Sequence, residues 1–313
     1  MSANLQNPIF TDNDKAREWL ERRVWATGRV CPHCGRVSYS TPLKGEKHRP
    51  GLYQCNDQNC REQFTVTVGT VFERSKIPLS KWLAALFLMV SSKKGISAHQ
   101  AHRMLGISYK STWFMMHRLR EAMRQGDLAP MGGSGSIVEI DETFIGRKPG
   151  VEARPGWVKH KHAVLTLVER GGSARSFHVD EVTKAELLPI IHANLDRESH
   201  VMTDEAARYA QLGDDFAKHD AVDHHRGEYG YTDRKTGVKV NTNTIEGYYS
   251  IFKRGMKGVY QHCSEKHLHR YLAEFDFRYS NRSALGCEDM ERADRMALGI
   301  VGKRLTYRRT NEV

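Results

Sequence analysis

From residue 137 to residue 255 the chain changes hydrophobic period in an order that few folds accommodate. SIVEIDETFIG, WVKHKHAVLTLVER and ARSFHVDEV read as three strands, the last two joined at Gly171 and Gly172. An amphipathic helix follows in KAELLPIIHANL, then a fourth strand in SHVMTD, a helix in EAARYAQLGDDF and a last strand in HDAVDHH. A final helix opens within TNTIEGYYSIFKRGMKG. Strands and helices in this succession predict a mixed five-stranded sheet with helices packed on it. APMGGSGS, residues 129–136, has a linker's composition, and a new domain is expected to begin at Ser136.

Three acids occupy distinctive places in that succession. Asp141 lies among Ile137, Val138, Ile140 and Phe144, Asp204 ends the fourth strand, and Glu246 stands at the start of the final helix. A carboxylate at the end of a core strand costs free energy unless something pairs with it. Oxygen-only sites suit Mg²⁺ or Mn²⁺. Two such ions about 3.5–4 Å apart can activate a water or a 3′-hydroxyl and stabilise the leaving oxygen of a phosphodiester. Lys253 follows Glu246 by about two helical turns, so both side chains point the same way. Glu142 directly follows Asp141, and strand alternation turns it to the opposite face as a structural residue. Glu205, past its strand end, is placed for a contact just outside the acids. His160 and His162 share one strand face, and His224 and His225 end another; they read as surface or satisfied groups, with His224 or His225 able to reach a DNA phosphate.

The front of the chain carries a different chemistry. Cys31 and Cys34 form C-x2-C, and Cys55 and Cys60 form C-x4-C 20 residues later. Four thiolates in two knuckles, with strand-like FTVTVGTVF after the second, predict a zinc ribbon holding one structural Zn²⁺. His33 sits between two knuckle thiols and is a poor substitute ligand; Cys263 and Cys287 read as ordinary reduced thiols. Ahead of the ribbon, TDNDKAREWLERRVWAT predicts a helix opened by Thr11 and Asp14, with Trp19, Leu20, Arg23 and Val24 on one face. Beyond it, SKWLAALFLMVSSKK is an apolar helix broken at Gly95. ISAHQAHRMLGISYKSTWFMMHRLREAMR then reads as helix, turn at Gly106 and helix, a helix-turn-helix pattern. Its second helix would turn Tyr109, Lys110, Ser111 and His117 to a DNA groove and Trp113, Met116 and Leu119 to the core. Met104, Met115 and Met116 read as core filler.

Charge sharpens the division. The net charge is +11; residues 1–136 hold 20 Lys/Arg against 10 Asp/Glu, and residues 137–313 hold 28 against 27. The front half is therefore the expected footprint for a polyanion. No apolar run approaches the roughly 18 residues of a membrane span, and MSANLQNPIF lacks a signal peptide's regions. A cytoplasmic, nucleoid-associated protein without membrane partners is expected.

VNTNTIEGYYSIFKRGMKGVYQHCSEKHLHRYLAEFDFRYSNR, with IDETFIGRK and VMTDE upstream, resembles bacterial insertion-sequence DDE transposases that carry an N-terminal zinc ribbon. These belong to the RNase H-like, retroviral-integrase superfamily, and the resemblance runs from about Phe10 to about Asn281. It implies an RNase H-like α/β catalytic domain in which the first and fourth strands lie side by side, bringing Asp141 to Asp204. It also implies a triad of Asp141, Asp204 and Glu246 holding two Mg²⁺ or Mn²⁺, with Lys253 on phosphate. Some relatives have Asn in the third acidic position, which keeps Asn243 as a lesser candidate. Arg254 and Lys257 beside the triad would track a DNA backbone.

The expected protein is multidomain α+β. It comprises an N-terminal helix (1–27), zinc ribbon (28–78), helix-turn-helix-like DNA-binding region (79–128), linker (129–136), RNase H-like catalytic domain (137–285) and basic C-terminal tail (286–313). In the tail, Lys303, Arg304, Arg308 and Arg309 are candidates to clamp DNA. The expected activity is cleavage at the ends of the protein's own element and strand transfer into target DNA, by a homodimer or higher oligomer. The alternatives are an RNase H-like nuclease that cuts without joining and a non-catalytic DNA-binding regulator.

Overall fold

A computed structural model describes residues 6–124, 126, 128–204, 207–223 and 230–306. The chain divides into two units, one formed by residues 1–124 with 287–313 and the other by residues 125–286. Glu205, His224, His225, Arg308 and Arg309 lie outside the described residues.

The first unit begins with α1 (Asn13–Val24), which buries Trp19 and Leu20. Its cap is Asp12, not the expected Thr11: the Asp12 carboxylate accepts from the amides of Asp14 and Lys15, while Thr11 closes a short 3-10 turn over Pro8–Phe10. The strands β1 (Ser40–Pro42), β2 (Tyr53–Cys55) and β3 (Gln63–Phe64) form a small antiparallel sheet. FTVTVGTVF gives only Phe64 to that sheet. The rest turns, with the Val68 amide on the Thr65 carbonyl, the Thr70 amide on the Thr67 carbonyl and Gly69 at positive φ. The helices α2 (Leu79–Ser91), α3 (Ala98–Leu105) and α4 (Tyr109–Met123) follow. Gly106 ends α3 in the left-handed region, at φ 64°, where a residue with Cβ is strained, and the Ser108 side chain caps α4 by accepting from the Ser111 amide.

Three further expectations fail in this unit. Met115 and Met116 are buried, but Met104 is half exposed, because Ala101 and Leu105 form the buried stripe of α3. His117 is buried against Trp113, ring centroids 4.2 Å apart, and so does not face a groove. Residues 286–313 are not simply a tail, since Asp289–Leu298 is a helix that packs on α2. Ala293, Met296, Ala297 and Ile300, all buried, repeat at helical spacing that the surrounding charges obscure in the sequence. Arg292 fastens this helix by donating to the carbonyls of Val90 and Cys287, at 2.8 and 3.1 Å. Lys303 donates to the Ala122 carbonyl.

In the second unit β4 (Ile137–Ile145), β5 (His162–Glu169), β6 (Ala174–Val179), β7 (His200–Asp204) and β8 (Lys218–Val222) form one sheet in the order β6-β5-β4-β7-β8. β4, β5 and β6 pair antiparallel, while β4–β7 and β7–β8 pair parallel. This is the RNase H-like sheet, with the first and fourth strands of the domain adjacent. β5 is apolar and buried along nearly its whole length because both sheet faces are covered. One face packs on α5 (Lys184–Asn194) through Val138, Ile140, Leu165, Leu187 and Ile191. The other packs on α7 (Asn243–Gly255) and α8 (Glu265–Ser280) through Val164, Val168, Ile245, Phe252 and Leu272.

Two local expectations change here. Among its described residues, EAARYAQLGDDF forms a 3-10 turn at Ala207–Tyr209 and one helical turn, α6 (Leu212–Asp215), instead of a continuous helix. The Gly-rich linker is partly built into this unit: Met131 is buried, its amide donates to the Asn194 carbonyl, and its carbonyl accepts from the Asp196 amide. The remaining pair of strands, β9 (Tyr231–Thr232) and β10 (Lys239–Val240), forms a separate two-stranded ribbon ahead of α7.

Candidate metal centres

In the first unit the four front cysteines converge, their sulfurs all within 4.8 Å of one another. Cys31 and Cys60 are 3.8 Å apart and Cys34 and Cys55 are 3.7 Å apart. A tetrahedral ion with Zn–S bonds of about 2.3 Å puts its sulfurs about 3.8 Å apart, so the spacing fits one Zn²⁺. Each knuckle is a tight turn: the Gly35 amide donates to the Cys31 carbonyl, and the Cys60 amide to the Asp57 carbonyl. Arg36 from the first knuckle donates to Asp57 in the second at 2.9 Å. The cage rests on Tyr53 and Phe64, with Trp25 edge-on to both. The Glu62 amide favours the Cys60 thiolate, but desolvation and the neighbouring sulfurs outweigh it and push that thiol up to about 12. A divalent ion replaces the protons that hold such a cluster together.

The second unit places two of the acids on adjacent strands, Asp141 midway along β4 and Asp204 at the end of β7. The β4–β7 register runs Ile137↔His200, Val138↔Val201 and Glu139↔Met202. Continued by two residues, the same offset sets Asp141 across from Asp204. Alternation puts Glu139, Asp141 and Met202 on the α7 face, and Ile140, Glu142 and Phe144 on the α5 face. Asp141 is pushed up to about 7 by burial first, then by the charges of Glu142 and Asp204. One oxygen of Asp204, Oδ1, is buried without a hydrogen-bond partner. A desolvated carboxylate opposite an orphaned carboxylate oxygen is an arrangement that a hard cation completes.

α7 brings the other residues to this end of the sheet. Tyr249 donates through its hydroxyl to the Asp141 carbonyl at 2.6 Å. Glu246 and Lys253 stand one turn to either side of Tyr249, both exposed, and the Lys253 ammonium lies 5.7 Å from the Tyr249 ring centroid. Lys253 also acts electrostatically on Asp141, opposing its upward shift. Asn243 is exposed at the first position of α7. The three carboxylates are thus carried by β4, β7 and α7, and they are more loosely gathered than the cysteines.

Two supports escaped the sequence reading. Glu139 is fully buried; it accepts from Arg170 Nε at 2.6 Å and from the Ile245 amide at 2.8 Å. Arg170 also donates to the carbonyls of Lys239 and Asn241, so β4 is tied to the start of α7. The available signal was a glutamate two residues before Asp141 in an apolar strand, hence on the same face and in need of a partner. Glu142, on the opposite face, accepts from Arg208 at 2.9 and 3.2 Å and from the Tyr209 hydroxyl, and burial raises its carboxyl. Arg208 is also 3.8 Å from Asp204. Lys110, Arg254 and Lys257 are all exposed, Lys110 on α4 and the other two at and just beyond the end of α7. His162, expected to be a surface or satisfied group, is buried at the start of β5.

Known proteins divide along the same lines. Residues 11–63 match the transposase zinc-ribbon domain, and residues 132–280 match the ISXO2-like transposase domain. A protein of the transposable element ISH50 of Halobacterium salinarum, itself described as uncharacterized, is 26% identical over 285 residues, covering 86% of this chain and 91% of that protein. A chain in the cryo-EM structure of a simian T-cell lymphotropic virus intasome in complex with PP2A regulatory subunit B56 gamma aligns with a TM-score of 0.29 and 16% identity. The alignment covers 56% of this chain and 63% of that one, a likeness too weak to bear on the site. A thiolate ribbon ahead of an acid-bearing mixed sheet is the build of an insertion-sequence transposase with an N-terminal zinc ribbon, and this chain is one. Its transposase domain is of the ISXO2-like kind.

Proposed function

We propose that this transposase cuts DNA at the ends of its own element and joins the freed 3′-hydroxyl to target DNA by a DDE mechanism. The observation that carries the reading is the placement of Asp141, midway along β4, across from Asp204 at the end of the adjacent β7, one desolvated and the other with an orphaned oxygen, on the sheet face that α7 covers. Asp141 and Asp204 would share two Mg²⁺ or Mn²⁺, and Glu246 would hold the second. Such ions, when bound, lower the pKa of water or a 3′-hydroxyl and neutralise charge on the leaving oxygen. Lys253 steadies the phosphodiester. Tyr249, Glu139 and Arg170 hold α7 against β4, so that Glu246 stands at a fixed distance from Asp141. The chemistry needs no covalent protein–DNA bond.

Glu246 is favoured over Asn243 as third ligand because it offers a charged oxygen on the α7 side shared with Tyr249 and Lys253. Lys110 and the basic first unit would bind DNA, Arg254 and Lys257 would follow a backbone near the acids, and the Zn²⁺ would staple the ribbon. Two element ends must be cut and joined together, which calls for at least a dimer acting on nucleoid DNA. No helix among the described residues is long and apolar enough to cross a membrane.

A strand-transfer assay with labelled element ends and a supercoiled target tests the reading. Joined product dependent on Mg²⁺ is expected. Cleavage without joining would make the protein a nuclease, and binding without either would make it a regulator.

A further inference from the structure

A second group of ligand-type side chains lies in the second unit, apart from the acids of β4, β7 and α7. His162 opens β5, His178 stands on β6, and Glu265 begins α8. His178 pairs directly with Val164, and His162 is two residues before Val164, so both rings stand on the same sheet face. The rings are edge to face, with centroids 5.4 Å apart. One ring nitrogen each of His162 and His178 and a Glu265 carboxylate oxygen all lie within 4.8 Å of one another. That oxygen is 4.0 Å from His162 Nδ1 and 3.9 Å from His178 Nε2.

Both nitrogens that face Glu265 are buried and lack a hydrogen-bond partner, and the His162 side chain is 3% exposed. Two buried imidazole nitrogens aimed at one carboxylate, with nothing hydrogen-bonded between them, are costly as they stand. Burial, the largest influence on His162, lowers its pKa, and His178 and Lys148 act in the same direction against Glu265. His162 also lines a cavity of about 230 Å³ with Gly146, Lys257 and Gln261, which leaves room for water beside that ring.

We infer that His162, His178 and Glu265 form a transition-metal site of the Zn²⁺ class, which fastens the start of α8 to the sheet. Imidazole and carboxylate donors suit such an ion, and three protein ligands leave one position for water. Bonds of about 2.0–2.1 Å place tetrahedral N and O donors about 3.3–3.4 Å apart. The half-exposed Glu265 side chain can move the roughly half an ångström that brings its oxygen to that distance from each ring nitrogen. A metal here would brace the turn between α7 and α8, and so the far end of the helix that carries Glu246 and Lys253.

The test uses the full-length protein with the ribbon zinc in place and with Asp141→Asn and Asp204→Asn keeping added metal off that acidic pair. Co²⁺ is titrated at neutral pH and followed by visible absorption. One saturating equivalent is expected, with nitrogen–oxygen ligation bands, no sulfur charge-transfer band and displacement by Zn²⁺. His178→Ala and Glu265→Gln, both at positions with solvent access, should each weaken that equivalent by at least about tenfold while leaving the ribbon zinc unchanged. Co²⁺ binding that survives either substitution, or the lack of a saturating equivalent in the parent, overturns the assignment. Strand transfer plays no part in the readout, so the outcome is independent of the proposed reaction.

Discussion

The carboxylate of Glu139 is shared between Arg170 and the first turn of α7, and that sharing sets where Glu246 can stand relative to Asp141. Glu139→Gln keeps the shape but turns one acceptor into a donor facing Arg170 or the Ile245 amide. We expect a folded protein that binds element ends normally, cuts about ten- to a hundredfold more slowly and needs more Mg²⁺ for half-maximal rate. Unchanged Mg²⁺ dependence would show that Glu139 does not position the site. Asp141 adds a pH dependence, since burial and its acidic neighbours hold it at about 7 against an ordinary 3.8. A folded-state pKa above the unfolded one favours the protonated folded form. In the metal-free protein this contribution is therefore complete below about 4 and lost as pH rises through 7. The metal needs the ionised form, so apparent Mn²⁺ affinity measured by calorimetry should rise as pH crosses 7 and then level off. A flat profile across that range would remove Asp141 from the ligand set. Asp141 and Asp204 stood out as candidates because a charge inside or at the end of an apolar strand is expensive, whereas Glu139 went unread because its partner Arg170 lies 31 residues away in sequence.

At the scale of elements, α8 is held to the sheet by one buried acid. Asp276 accepts from the Ser176 amide at 2.8 Å, the Ser176 hydroxyl at 2.7 Å and the Tyr248 hydroxyl at 2.6 Å, and so joins α8, β6 and α7. Asp276→Ala leaves those donors buried without that acceptor, and a loss on the order of 3 kcal/mol is expected, read as a lower denaturation midpoint. A change below about 0.5 kcal/mol would mean that water or Ser176 itself compensates. The five-stranded sheet was readable from period alone, because three consecutive apolar strands followed by helix, strand, turn-rich segment, strand and helix leave few arrangements. Lengths were less legible. FTVTVGTVF alternates like a strand, yet beyond Phe64 its backbone closes local turns instead of pairing. His117 was misplaced because the helix face it shares with Trp113 is defined by tertiary packing, which the mixed polar and apolar sequence of α4 does not reveal.

For the whole molecule, the return of residues 287–313 to the first unit changes how its DNA binding must be tested. A fragment ending at residue 136 would lack the helix that covers α2 and the Arg292 bonds to Val90 and Cys287. Truncation after residue 286 should therefore destabilise the first unit and weaken end binding, while the second unit keeps its own melting transition in calorimetry. Equal end binding by the truncated and full-length proteins would refute that dependence. This helix escaped the reading because Arg292, Arg295 and three acids surround its apolar stripe, giving it a solvated appearance. The central claim is that Asp141, Asp204 and Glu246 hold the ions that drive cleavage and joining. The most direct measurement is Mg²⁺-dependent cleavage of a labelled element end by Asp204→Asn, Glu246→Gln, Asn243→Ala and Glu142→Gln at equal DNA occupancy. Asp204→Asn and Glu246→Gln should fall to background, a loss of several orders of magnitude. Glu142→Gln should be far milder, because its contacts are with Arg208 and Tyr209 on the opposite face. Near-normal cleavage by Glu246→Gln together with an inactive Asn243→Ala would contradict the account and move the third ligand to Asn243.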